Sequence, residues 1–223
     1  MGEAVGQFLS HAVGVAISPL ALVAVIAILT APRGRANALW FALGWMLAVV
    51  AVFAALLVVG ARAGARHDGH PGAWVSWFRL VLGVLLALMA LRQLRLAAAS
   101  EEGALPPRLR NLEQFTPANC LTLGIVLALA NPKNVTQIAT GAVGVASEIS
   151  HTGGRITAEA IFVAIASLGV LIPLLVHFSG HPAAHQTLQR WRDWTVRNHY
   201  AIMAVLFILL SAKTLGDAIS GLL

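Results

Sequence analysis

From Ala36 to Gly60 the chain carries no charged side chain. A helix rises about 1.5 Å per residue, so about 20 apolar residues cover the hydrocarbon of a bilayer. A run of this kind has to be buried on every side or placed in lipid, and it recurs. Six apolar stretches are predicted to cross: Val5–Thr30, Ala36–Gly60, Trp74–Leu94, Asn119–Ala146, Ala158–His177 and Tyr200–Ile219. They are continuous rather than alternating, which favours helices over barrel strands. The expectation is an all-α integral membrane protein with six transmembrane helices. Composition agrees, since the 223 residues are 58% hydrophobic and only 11% charged. A soluble domain carries about 25% charged residues.

The net charge is +6, from thirteen arginines and two lysines against nine acids. In a soluble chain such an excess would point to nucleic acid. Here the arginines cluster between apolar runs, which indicates contact with anionic headgroups and a topology signal, and no nucleic-acid partner. Connectors one, three and five hold nine basic residues: Arg33, Arg35, Arg92, Arg95, Arg108, Arg110, Arg190, Arg192 and Arg197. Arg62, Arg66, Arg79, Arg155 and Lys213 lie towards the other side. This bias predicts a multi-pass protein of the inner (plasma) membrane with both termini outside. Trp74, Trp77, Trp191, Trp194 and Tyr200 fall near span ends, where interface anchors belong. Glu3 is the only charge before His11, and the first run is too long for a cleaved leader, so it is expected to stay in the membrane.

The sequence reads as three helices written twice. "VLGVLLALMAL" (Val81–Leu91) and "VLFILLSAKTL" (Val205–Leu215) share one leucine pattern, and each follows a W-x-x-W. The first and fourth spans each carry a proline near the middle, Pro19 and Pro132. A three-helix unit crosses an odd number of times, so its second copy is inverted. The expected division is a first repeat over 1–97, a cytoplasmic connector over 98–118 and a second repeat over 119–223.

Proline removes a helix hydrogen bond at a cost of about 3 kcal/mol, and in lipid the freed carbonyls need partners. Paired interruptions in two halves point to a transport site at the midplane. "ANPKN" (Ala130–Asn134) adds a lysine, whose burial in lipid would cost at least about 2.5 kcal/mol, so Lys133 is expected to face the protein interior or water. Asn131 can cap a half-helix starting at Pro132, and Asn134 and Gln137 extend a polar wall. Ser18 and Pro19 are the counterparts in the first repeat, with a plain kink as the alternative reading of Pro19. The predicted substrate site is therefore Asn131, Pro132, Lys133, Asn134, Gln137, Ser18 and Pro19, suited to an anionic or carbonyl-rich solute.

The Asn-Pro-Lys-Asn sequence in a fourth span, the proline-bearing first span and the two three-helix halves resemble the lysine exporter superfamily. "LTLGIVLALANPKN" after "ALPPRLRNLEQFTP", with "APRGRANALWFALGW" after the first helix, is most similar to its branch of glycolipid- or sulfolipid-addressing proteins. The resemblance implies an export-type permease for a small or amphiphilic solute, or an accessory to glycolipid transport that moves nothing itself. The chain size is compatible with a homodimer.

Other groups read more plainly. Lys213 and Asp217 are four apart, as in an ion pair, with a proton-linked gate as the alternative. His11 lies about two turns into the first span and could titrate in a pathway. His177, His181 and His185 have helical spacing, but Gly180 and Pro182 interrupt it, and His67 and His70 fall on the other side, so no metal site is expected. Glu148 and Glu159 bracket connector four and read as solvated. Cys120 is alone, which excludes dithiol chemistry, and the spans hold no paired acids or His–Glu metal motif, so no enzyme and no cofactor is expected. The sequence has no nucleotide-binding loop, so transport would draw on an ion gradient or a partner.

Overall fold

The computed structural model describes residues 2–64, 66–67, 70–71, 73–99 and 115–222, with side chains described from Phe8 onward in the first helix. Arg108, Arg110 and most of the connector 98–118 lie outside the described residues, as do the side chains of Glu3, Arg66, His67 and His70.

The chain is helical: α1 Gly2–Ala16, α2 Pro19–Leu29, α3 Gly34–Arg62, α4 Ala73–Ala99, α5 Pro117–Leu129, α6 Pro132–Glu148, α7 Thr152–Ala166, α8 Leu168–Phe178, α9 Ala184–Arg197 and α10 His199–Ser220. A two-residue antiparallel ladder, β1 (Arg66–His67) with β2 (His70–Pro71), closes the turn between α3 and α4. Three helices are long and apolar enough to cross a membrane unbroken, within α3, α4 and α10. Two further crossings pass that test only as bent pairs, α1 with α2 at 47° and α7 with α8 at 57°.

The expected fourth span, Asn119–Ala146, is two helices. Its first half, α5, is short and apolar, whereas α6 is rich in threonine, glycine and other polar or small residues. Those residues are not set against lipid: α6 is buried along nearly its whole length, among α1, α3, α4, α5 and α7. The expected fifth span, Ala158–His177, is also interrupted, at Ser167. Pro173 within α8 cannot donate to the turn before it, and Gly169 lies in that turn. The ring nitrogen of Trp45 donates to the Ala166 carbonyl at 3.3 Å and so holds the broken end.

Close backbone approach sets the packing. A Cβ on Gly44 of α3 would lie 2.1 Å from the Leu121 carbonyl oxygen of α5, and one on Gly124 of α5 would lie 2.2 Å from the Phe41 carbonyl oxygen. Only glycine permits these two helices to touch this way. The matched segments found in sequence meet face to face: Leu86 and Ala90 of α4 pack with Met203, Leu206, Phe207 and Leu210 of α10, and Ser211 donates to the Gly83 carbonyl at 2.9 Å.

Following the chain, the ends of α2, α4 and α8 and the starts of α3, α5 and α10 share one face of the bundle. Arg33, Arg35, Arg92 and Arg95 lie towards it, and α9 lies on it with three more arginines. The starts of α4 and α7 and the ends of α3, α6 and α10 form the far face.

Candidate functional site

Both proline interruptions have the same local build. Ser18 and Asn131 are extended residues preceding a helix whose first position is proline, where the missing N–H costs nothing. Asn131 accepts from the Lys133 backbone N–H at 3.1 Å and caps α6, whereas Ser18 makes no side-chain cap to α2. Each break also leaves carbonyls unpaired at the end of the preceding half-helix.

The motif fills those needs. Lys133 is fully buried, and its ammonium donates to the Gly14 carbonyl and, at 3.1 Å, to the Ile17 carbonyl. It therefore sits on the negative end of the α1 half-helix, where a cation is favoured. Asn134, also fully buried, donates from Nδ2 to the Leu127 carbonyl of α5 at 3.4 Å. One turn along α6, Gln137 is fully buried, with its Oε1 2.7 Å from the Nδ1 of His11. Asn131, Lys133 and Asn134 thus serve three helix ends, two in the second half of the chain and one in the first.

Two cavities flank this plug. The larger, about 230 Å³, lies towards the arginine face. Leu20, Met89, Leu127, Met203 and Phe207 give it an apolar wall, Asn131 and Pro132 form its inner end, and Arg92, Gln93 and His199 supply its polar groups. The smaller lies towards the far face, lined by Phe8, His11, Arg79, Thr140 and Glu148 among others. At about 10 Å³ it has room for about one water molecule. Gln137 Nε2, Asn134 Oδ1 and Arg79 Nε are buried without a hydrogen-bond partner among the described residues.

Of the predicted site, only Asn131 and Pro132 line the larger cavity. Lys133, Asn134 and Gln137 are sealed behind it, and Ser18 and Pro19 are buried beside them without reaching the Lys133 ammonium. His11 faces the smaller cavity. Lys213 and Asp217 form an ion pair at 2.8 Å, both partly exposed. No group of three described His, Cys, Asp or Glu residues could hold a metal ion. In the sequence Arg92 bears only on orientation, and nothing sets His199, Met203 and Phe207 apart from their neighbours. The available signal was an arginine inside an apolar run, at Arg92 in "LRQLRL".

An all-helical bundle whose apolar helices are long enough to cross a membrane, some of them only as bent pairs, is the architecture of a multi-pass membrane protein. The model of the family described as Sap, sulfolipid-1-addressing protein, matches residues 8–220, and the chain belongs to that family. No curated protein and no solved structure matches it.

Proposed function

We propose that the chain is an export-type permease that carries an amphiphilic anionic solute, such as a glycolipid or an amino-acid-like compound, by alternating access. In this reading the six crossings form two inverted three-helix repeats of the lysine exporter kind, in the plasma membrane, with both termini outside. The observation that carries it is the inequality of the two cavities across the Lys133 plug. The larger opens towards the arginine face and ends at Asn131 and Pro132, while the other holds about one water. Such a pair is what one end state of an alternating-access cycle requires. The chamber has an apolar wall, while Arg92 and the α6 N-terminus supply positive potential, which suits an anionic head on an apolar body.

The test is to fill the chamber without touching the plug. Met203→Trp at wild-type abundance should cause one class of amphiphile to accumulate inside cells, read by lipid and metabolite profiling of inner and surface fractions. An unchanged distribution would sink the permease reading.

A second reading, an accessory that addresses an envelope glycolipid without moving it, rests on a different observation. The one intramembrane cation of the motif is committed to two backbone carbonyls, and about 230 Å³ is small for a whole lipid. Absence of flux in proteoliposomes of the purified chain, with co-purification of a lipid synthase or larger transporter, would favour it. Neither reading involves an enzymatic step.

A further inference from the structure

On the arginine face, α9 is a polar, amphipathic helix of 14 residues, too short and too charged to cross a membrane. Ala184, Leu188 and Thr195 form the stripe it buries, and it packs on α2 and α8. Thr187, Arg190, Trp191 and Trp194 stand at i, i+3, i+4 and i+7, so they share an adjacent face. Arg190 is exposed on it, and Trp194 is 56% exposed. A helix buried on one side, aromatic on the next and basic beyond lies in the membrane–water interface.

Between α8 and α9 runs an open groove of about 560 Å³, lined by Leu175, Val176, Ser179, His181, Ala184 and Thr187. Its floor is apolar, with Leu175 67% exposed, and its lip is polar. The lip runs directly into the Thr187–Arg190 stripe. Seven described arginines lie towards this face: Arg33, Arg35, Arg92, Arg95, Arg190, Arg192 and Arg197. Asp193 is the only described acid there, and none of these arginines forms a salt bridge with a described residue. An apolar floor under a polar lip, with the exposed Arg190 one turn of α9 beyond Thr187, matches one molecule type, a membrane lipid with an anionic headgroup.

We propose that the groove between α8 and α9 binds one anionic membrane lipid, with an acyl chain along Leu175 and Val176 and the headgroup on Thr187 and Arg190. This site is separate from the midplane chamber and stands whether or not the chain transports anything.

The experiment uses the full chain, delipidated in mild detergent and titrated with phosphatidylglycerol or phosphatidylcholine of identical acyl chains, with retained lipid counted by native mass spectrometry. The first phosphatidylglycerol should be held at least about fivefold more tightly than phosphatidylcholine, as one headgroup–guanidinium contact would give. Arg190→Gln should erase that preference, Leu175→Trp should weaken both lipids, and Arg62→Gln on the far face should change neither. Equal retention of the two lipids, or indifference to Arg190→Gln, overturns the proposal. Displacement by millimolar inorganic phosphate also overturns it, because the site would then be one for a free anion. Should those variants fail to fold, tryptophan fluorescence decides. Chain-brominated phosphatidylglycerol must quench Trp191 and Trp194, identified by comparison with Trp191→Phe and Trp194→Phe, and no quenching refutes the assignment.

Discussion

The ammonium of Lys133 donates to the Ile17 carbonyl at 3.1 Å, joining the second half of the chain to the broken helix of the first. It also donates to Gly14, so two of the carbonyls left open at the α1–α2 break share one donor. A hydrogen bond from a charged donor contributes about 1.5–3 kcal/mol. Lys133→Met keeps the length and apolar stem while removing the donor. It should lower stability by about 2–4 kcal/mol, because two buried carbonyls are left unpaired. Thermal unfolding of the purified chain in detergent reads this directly, and an unchanged midpoint would mean that the two bonds contribute nothing.

Gly124 and Gly44 form a reciprocal contact in which each would push a Cβ into the partner helix's backbone. Backbone cannot swing aside as a side chain can, so Gly124→Ala should cost about 1–3 kcal/mol and separate α3 from α5. Gly216 of α10 is exposed and meets nothing within 4 Å, so Gly216→Ala should be neutral or stabilise by up to about 1 kcal/mol. A matched pair of melting curves separates close approach from helix propensity.

Much of this arrangement was legible in the sequence, because prolines in apolar runs leave few choices. Pro19 and Pro132 each begin a half-helix, and Asn131 caps one, as their spacing indicated. The role of Lys133 was not legible, because its partners are backbone carbonyls and every residue type has one. The sequence could place a cation at mid-depth but not say that α1 would already satisfy it. The break at Ser167 escaped for a related reason. Pro173 lies six residues past it, and the donor that holds it, Trp45, comes from a distant part of the chain. The sequence marks the α9 segment only as a basic connector with Trp191 and Trp194 as interface anchors, although its apolar positions recur with helical spacing.

Trp45 can be tested at that third break. Its ring nitrogen holds the Ala166 carbonyl at 3.3 Å, beside the turn where Val170 and Leu171 both donate to the Ser167 carbonyl. Trp45→Phe keeps most of the packing and removes about 0.5–1.5 kcal/mol of hydrogen bonding. Hydrogen–deuterium exchange should therefore accelerate in the peptide spanning 167–171 and stay unchanged in α4 and α10. Uniform acceleration would instead mean a loss of global stability.

The unequal cavities predict unequal access, and cysteine labelling measures it. Cys120 is fully buried, so the native chain should give little background with a membrane-impermeant maleimide. Gln93 lines the larger chamber on α4, whereas Thr140 lines the water-sized cavity and is 1% exposed. Gln93→Cys should label from the arginine face only, and Thr140→Cys should resist reagent from both faces. Right-side-out and inverted vesicles supply the two directions, and the same pair reports which face is cytoplasmic. If Thr140→Cys labels readily from the far face while Gln93→Cys does not label, the chamber that supports the permease reading opens the other way in the membrane. If both label from one face, the Lys133 plug does not divide them. A third result, in which Thr140→Cys becomes reactive only when Lys133→Met is added, would identify the ammonium as the closure between the two sides.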